Sequence, residues 1–158
     1  MVNVGNLIEK KNQIFLVDVV KCLVLKKYKV SLKIIGDGIF RDKIANKIRN
    51  LKLENEITLL GAVDNVQNYL WDSNCYIHSA FYEPFGLVLI EAMAAKVPVI
   101  SYNGRGNKDI IKNNKTGFLI NELDPEKFAD AIIKLFENKK LYYKIVENAF
   151  NFSKKHDI

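Results

Sequence analysis

The stretch that most restricts the fold runs from residue 75 to residue 100. Cys75–His78 is short and apolar, and Glu83 follows in a loop that carries Pro84 and Gly86. Gly86–Ala95 reads G-L-V-L-I-E-A-M-A-A, apolar on nearly every side, which predicts a helix buried in a larger structure. Val97-Pro98-Val99-Ile100 then reads as a strand, with Pro98 near its start, where a missing N–H is tolerated. Strand, buried helix, strand is a crossover unit, and crossovers join parallel strands.

The rest of the chain keeps the same alternation. Strands are expected at Val2–Gly5, Val30–Ile35, Ile57–Leu60 and Phe118–Ile120. Helices are expected from Asn12, as N-cap, to about Lys27, at Arg41–Leu51 and Val66–Trp71, and briefly at Lys108–Lys112. Asp124-Pro125-Glu126 starts a further helix, and a last one runs from about Lys140 to Phe152, leaving a polar, frayed tail from Ser153. The expected fold is α/β: a Rossmann-like, doubly wound parallel sheet of about six strands with helices on both faces. Residues 1–158 read as a single domain without repeats or linkers.

Ligands of such sheets bind outside the carboxyl ends of the strands. The loops expected there are Gly5 to Lys11, Gly36 to Gly38, Gly61 to Val63, Ser79 to Phe85, and Tyr102 to Gly106, the last overlapping a flexible glycine loop expected at Asn103 to Asn107. Glu83 and Glu91 bracket a loop-to-helix junction whose free N–H groups and positive dipole end suit a phosphate. Lys11 falls at a helix start, where the dipole disfavours a cation unless an anion is near. Each of these has a plainer reading: Glu91 faces solvent from an apolar helix, and Lys11 is an exposed lysine.

The formal net charge is +6, with the lysines scattered rather than run together. Solvated faces account for that pattern, and attraction to an anionic membrane surface is the main alternative. Nucleic acid is not expected as a partner, because no basic stretch is interleaved with aromatics. Cys22 and Cys75 stand in apolar contexts outside any C-x-x-C and read as free core thiols of a reducing compartment. No apolar run reaches transmembrane length and no signal peptide opens the sequence, so a soluble, cytoplasmic protein is expected; the membrane alternative puts it against the inner face.

The run E-P-F-G-L-V-L-I-E followed by A-M-A-A-x-x-P-V-I resembles the E-x7-E signature of retaining glycosyltransferases of the GT-B fold, family 4, which use nucleotide-sugar donors. V-G-N-L-I-E-K-K-N, I-I-G-D-G, L-L-G-A-V and T-G-F-L-I are similar to further family stretches, in family order. The likeness covers nearly the whole chain and implies the C-terminal, donor-binding half of a GT-B enzyme. It implies that Lys11 binds the diphosphate and Glu83 sits beside the donor sugar, these two being the catalytic candidates. It further implies that Glu91 holds the ribose hydroxyls and that backbone N–H groups of Phe85, Gly86, Leu87 and Val88 meet phosphates and sugar. Gly5 and Asn6 belong to the same donor site, and Gly61, Ala62 and Val63 line the base. G-R-G-N-K-D-I-I resembles members that build surface polysaccharides.

Two departures stand out. Asn6 occupies the position of the family's arginine, and Arg105 is a candidate substitute by loop position. The N-terminal, acceptor-binding domain is missing from this sequence, so an isolated chain of this kind is expected to be inactive. No D-x-D occurs, so neither metal nor cofactor is expected; the nucleotide-sugar is a substrate. Two other readings remain at this point: a non-catalytic nucleotide-binding module or truncated product, and another GT-B protein such as a nucleotide-sugar epimerase.

Overall fold

The computed structural model describes residues 1–156. Six strands form one parallel sheet: β1 Val2–Val4, β2 Leu32–Ile35, β3 Ile57–Gly61, β4 Tyr76–His78, β5 Val99–Tyr102 and β6 Phe118–Ile120, in the order β3-β2-β1-β4-β5-β6. That is the doubly wound Rossmann-like arrangement, with the order reversing between β1 and β4. Helices α1 (Gln13–Leu25), α2 (Arg41–Asn50) and α6 (Pro125–Glu137) supply one apolar core with Leu16, Val20, Ile44 and Phe128. Helices α3 (Val66–Trp71), α4 (Leu87–Ala94) and α7 (Lys139–Ser153) supply a second with Leu70, Leu89, Met93 and Ala149. The short α5 (Asn107–Ile110) follows β5.

Several expected boundaries shift for local reasons. β5 begins at Val99 rather than Val97, since Pro98 has no N–H to give the ladder; its carbonyl still accepts from Tyr76 N–H at 2.9 Å. Asn12 is not the expected side-chain cap: it sits left-handed at φ 51°, closing a 3-10 turn at Glu9–Lys11 before α1. Asp124 caps α6, its carboxylate accepting from Glu126 N–H at 2.9 Å, with Pro125 at the first helical position. The final helix holds Ser153, buried, in its last turn, so the fraying expected from that residue is not found there; Asp157 and Ile158 lie outside the described residues. Of the two free thiols, Cys75 is buried, which pushes its pKa up to about 12, whereas Cys22 is only half-buried beside the core.

At the switch point β1 and β4 share a single register pair, Val2 with Tyr76, and side chains replace the missing ladder. Asn3 donates to the Ile77 carbonyl at 2.8 Å, and the buried Tyr76 hydroxyl bonds both the N–H and the carbonyl of Val4. The splayed strands leave the crevice in which the site lies.

Candidate functional site

A cleft of about 350 Å³ opens at the carboxyl ends of β1 and β4. It is lined by Val4, Gly5, Asn6, Lys11, Val66, Glu83, Phe85, Leu87, Val88 and Glu91. Eight of those ten are residues expected from the sequence; Val4 and Val66 are not among them. A second hollow, of about 320 Å³, lies between Lys29, Asn74, Phe136, Lys139, Tyr142 and Tyr143. Lys29 and Asn74 precede β2 and β4, so that hollow sits at the amino edge, opposite to where ligands of such sheets bind.

The loop after β4 and the turn after β1 are fastened together. Phe81 N–H donates to the Lys10 carbonyl at 2.8 Å, and the Ser79 hydroxyl donates to the Lys11 carbonyl at 2.9 Å. The buried Gln13 side chain donates to the Asn6 carbonyl at 3.0 Å, holding the Gly5–Asn6 loop against α1. These bonds bring Lys11 and Glu83 side by side, with Lys11 Nζ 2.7 Å from Glu83 Oε2 and side chains 18% and 11% exposed. His78, buried at the end of β4, places Nε2 3.5 Å from the same oxygen without forming a hydrogen bond. His78 Nε2, which faces the carboxylate without closing a hydrogen bond, and the Lys11 ammonium, which does bond to it, hold the Glu83 carboxyl well below the usual carboxylate range, against the opposing effect of burial. Burial depresses the His78 pKa, so the imidazole is neutral at pH 7.

Glu91 contrasts with Glu83. It is neither fully buried nor turned away to open solvent, but half-buried on the face of α4 that lines the cleft with Leu87 and Val88. It makes no salt bridge among the described residues, and burial pushes its pKa up. The helix is less enclosed than its composition predicts: Leu89, Ile90, Ala92 and Met93 are buried, while Leu87 and Phe85 are 53% and 76% exposed at the cleft.

Gly86 starts α4 in a left-handed conformation, φ 63°, with no side-chain cap, so the first N–H groups of the helix stay open. A Cβ there would lie 2.6 Å from Ile110 Cγ1, so both space and backbone require glycine. The 103–107 loop, expected to be flexible, is tied down. Glu83 N–H donates to Arg105 and Arg105 N–H to Phe81, each at 2.9 Å, and a Cβ on Gly106 would lie 2.0 Å from the Glu83 carbonyl oxygen. Arg105 itself stacks over Tyr82, its guanidinium carbon 5.2 Å from the ring centre, and does not line the cleft. Gly61 ends β3, two strands from β1, and Gly61, Ala62 and Val63 also lie outside the cleft lining.

Sheet order and cleft position define a Rossmann-like α/β domain with a cleft at the switch point. The sequence profile described as Glycosyl transferases group 1 matches residues 1–152, and the chain belongs to that family. It is 33% identical over 140 residues to the poly(ribitol-phosphate) alpha-N-acetylglucosaminyltransferase of Staphylococcus aureus (strain COL), covering 88% of this chain and 28% of the relative. It is 29% identical over 154 residues to the poly(glycerol-phosphate) alpha-glucosyltransferase of Bacillus subtilis (strain 168), covering 97% of this chain and 23% of the relative. The fold matches a crystal structure of S. aureus TarM, a G117R mutant in complex with fondaparinux, alpha-GlcNAc-glycerol and UDP, with TM-score 0.91 and 31% identity over 98% of this chain and 32% of that one. The chain thus spans about a quarter to a third of the length of these proteins. Among the described residues no helix is long and apolar enough to cross a membrane.

Proposed function

We propose that the chain is the donor-binding domain of a retaining glycosyltransferase that moves a sugar from a nucleotide diphosphate-sugar to an acceptor hydroxyl, in the synthesis of a surface polysaccharide or glycolipid. The observation that carries this is the meeting of Lys11, Glu83, Glu91 and the open start of α4 in one cleft at the switch point. UDP is the nucleotide to try first, since a 31% identical protein was crystallised with it. In this reading the Lys11 ammonium and the α4 N–H groups take the diphosphate, which stabilises the leaving group as charge builds on it. Glu91, a carboxylate with no cation to occupy it among the described residues, accepts from the ribose hydroxyls. Glu83 faces the donor sugar and stabilises positive charge at its anomeric carbon. The acceptor-binding domain supplies the opposite wall of the cleft, and the complete enzyme works in the cytoplasm without a metal.

Calorimetric titration of this chain with UDP, UDP-glucose and UDP-N-acetylglucosamine, each with and without EDTA, tests the proposal. Weak binding of UDP, unchanged by chelation and without glycosyl transfer, is expected. Absence of binding by every nucleotide tried, or binding that chelation removes, counts against it.

A further inference from the structure

His78 is the buried titratable group that these roles leave unused. It is 2% exposed, at the end of the strand that feeds the Glu83 loop, and neither ring nitrogen has a hydrogen-bond partner among the described residues. A neutral imidazole carries one N–H donor and one acceptor, and leaving both unpaired in a protein interior is unfavourable. Tyr76, whose ring centre is 5.8 Å away, cannot relieve this, because its hydroxyl is committed to the Val4 backbone. Glu83 Oε2 is 3.5 Å from Nε2, but that oxygen takes its hydrogen bond from Lys11. The imidazole is aimed at a carboxylate that is already engaged.

We propose that His78 is a positioning residue for Glu83: when a nucleotide diphosphate draws the Lys11 ammonium away, His78 Nε2–H donates to the freed carboxylate and holds it in the cleft. This rests on the roles given to Lys11 and Glu83 above. The exchange follows from the charges. A diphosphate offers Lys11 a stronger anion than one carboxylate, and the long lysine stem rotates freely. Without a replacement donor, Glu83 would be left a mostly enclosed carboxylate with no partner, free to swing out of position. A neutral His78 supplies that donor without taking up a proton. The charged groups that act on the ring, Glu83 and Lys11, are the two that change partners, and Tyr76 stays as it is.

The sequence holds two histidines, so the test is spectroscopic. Side-chain 15N–1H correlation spectra contain two imidazole systems, and His156→Gln assigns them. On saturation with UDP the His78 Nε2–H proton should move downfield and exchange with solvent roughly tenfold more slowly, the effect of one hydrogen bond to a charged acceptor. The His156 ring, at the end of α7 against the Phe152 carbonyl, should not respond. Lys11→Met, which keeps the aliphatic stem, should give the same His78 signature with no nucleotide present, and adding Glu83→Gln should diminish it. A His78 signal unmoved by saturating UDP, or a Lys11→Met spectrum identical to that of the unliganded protein, overturns the proposal. Failure of UDP to bind, read separately by calorimetry, counts against the proposed function, and the Lys11→Met spectrum then decides the role of His78 by itself.

Discussion

Replacing Lys11 with Met and Glu83 with Gln, singly and together, measures what their ion pair contributes to the fold. Charge centres about 4 Å apart attract by about 4 kcal/mol at an effective dielectric near 20. Both side chains are mostly enclosed, 18% and 11% exposed, so lost hydration returns part of that. A coupling energy of about 2 kcal/mol is expected, above the ~0–1 kcal/mol of exposed pairs. It should recur in the acid dependence of stability. His78 and Lys11 lower the Glu83 pKa from 4.5 to about 2. A carboxylate with a lowered folded-state pKa contributes stability that is present above the unfolded value and lost as pH falls through the folded one, here from 4.5 towards about 2. The full shift corresponds to about 3 kcal/mol. Since His78 makes no hydrogen bond at 3.5 Å, the Lys11 share is nearer about 2 kcal/mol. The assay is urea and thermal unfolding of the four proteins, from about pH 7 down to about pH 3. Glu83→Gln should melt about 4–8 °C lower at neutral pH and lose less stability on acidification. A coupling under about 0.5 kcal/mol, or an acid profile of Glu83→Gln as steep as that of the parent, would show the pair to be an ordinary surface contact.

Gly86→Ala should cost about 1–3 kcal/mol in thermal or urea unfolding, through the left-handed backbone and the 2.6 Å approach to Ile110. Glu91→Gln should weaken UDP and UDP-sugar alike by roughly 1–2 kcal/mol in calorimetry, because it removes a charge facing the part they share. The same variant should fold at least as stably as the parent at neutral pH, since burial already disfavours the Glu91 charge; a lower melting point would contradict that. Glu83→Gln should bind UDP a few-fold more tightly, because Lys11 no longer has to leave a partner, yet gain less when the ligand carries its sugar; looser binding of plain UDP would refute the competition.

The alternation of strands and helices was readable because each element carries its own period, and Asp124-Pro125 carries its own cap. The clustering of Lys11, Glu83 and Glu91 was readable as well: a parallel sheet sends every loop of one kind to one edge, whatever the loops contain. What stayed hidden depends on contacts between residues far apart in the chain. Nothing near Lys11 announces that Ser79 and Phe81 bind its turn and carry Glu83 to it. His78 reads as one more residue of an apolar strand until β4 is set beside the cleft. Val66 comes from a helix two elements upstream of α4, and Arg105, assigned by its loop, turns onto Tyr82 instead. The position of Asn12 was hidden for a local reason: its backbone closes the preceding 3-10 turn in the left-handed region, its N–H donating to the Glu9 carbonyl, and from there its side chain caps nothing.

The two carboxylates of E-x7-E have been pushed in opposite directions by their surroundings, one far below the usual range and one above it. That separation allows different work from identical groups. It also leaves the cleft with a charge problem. Among the described residues Lys11 is the one cation in its lining, and Glu83 neutralises it, while Glu91 adds a negative charge and Asn6 adds none. A diphosphate entering this cleft meets the positive end of α4 and a lysine that must first be released. The overall charge of +6 gives little help in place, because salt screens exposed charges beyond about 8 Å. Arg105 could lend a second cation only by leaving Tyr82, and its backbone is tied to Phe81 and Glu83. On the proposed function, tight donor binding therefore calls for a cation beyond those that line this cleft, and a variant that places one there, Asn6→Arg, should bind UDP more tightly in calorimetry.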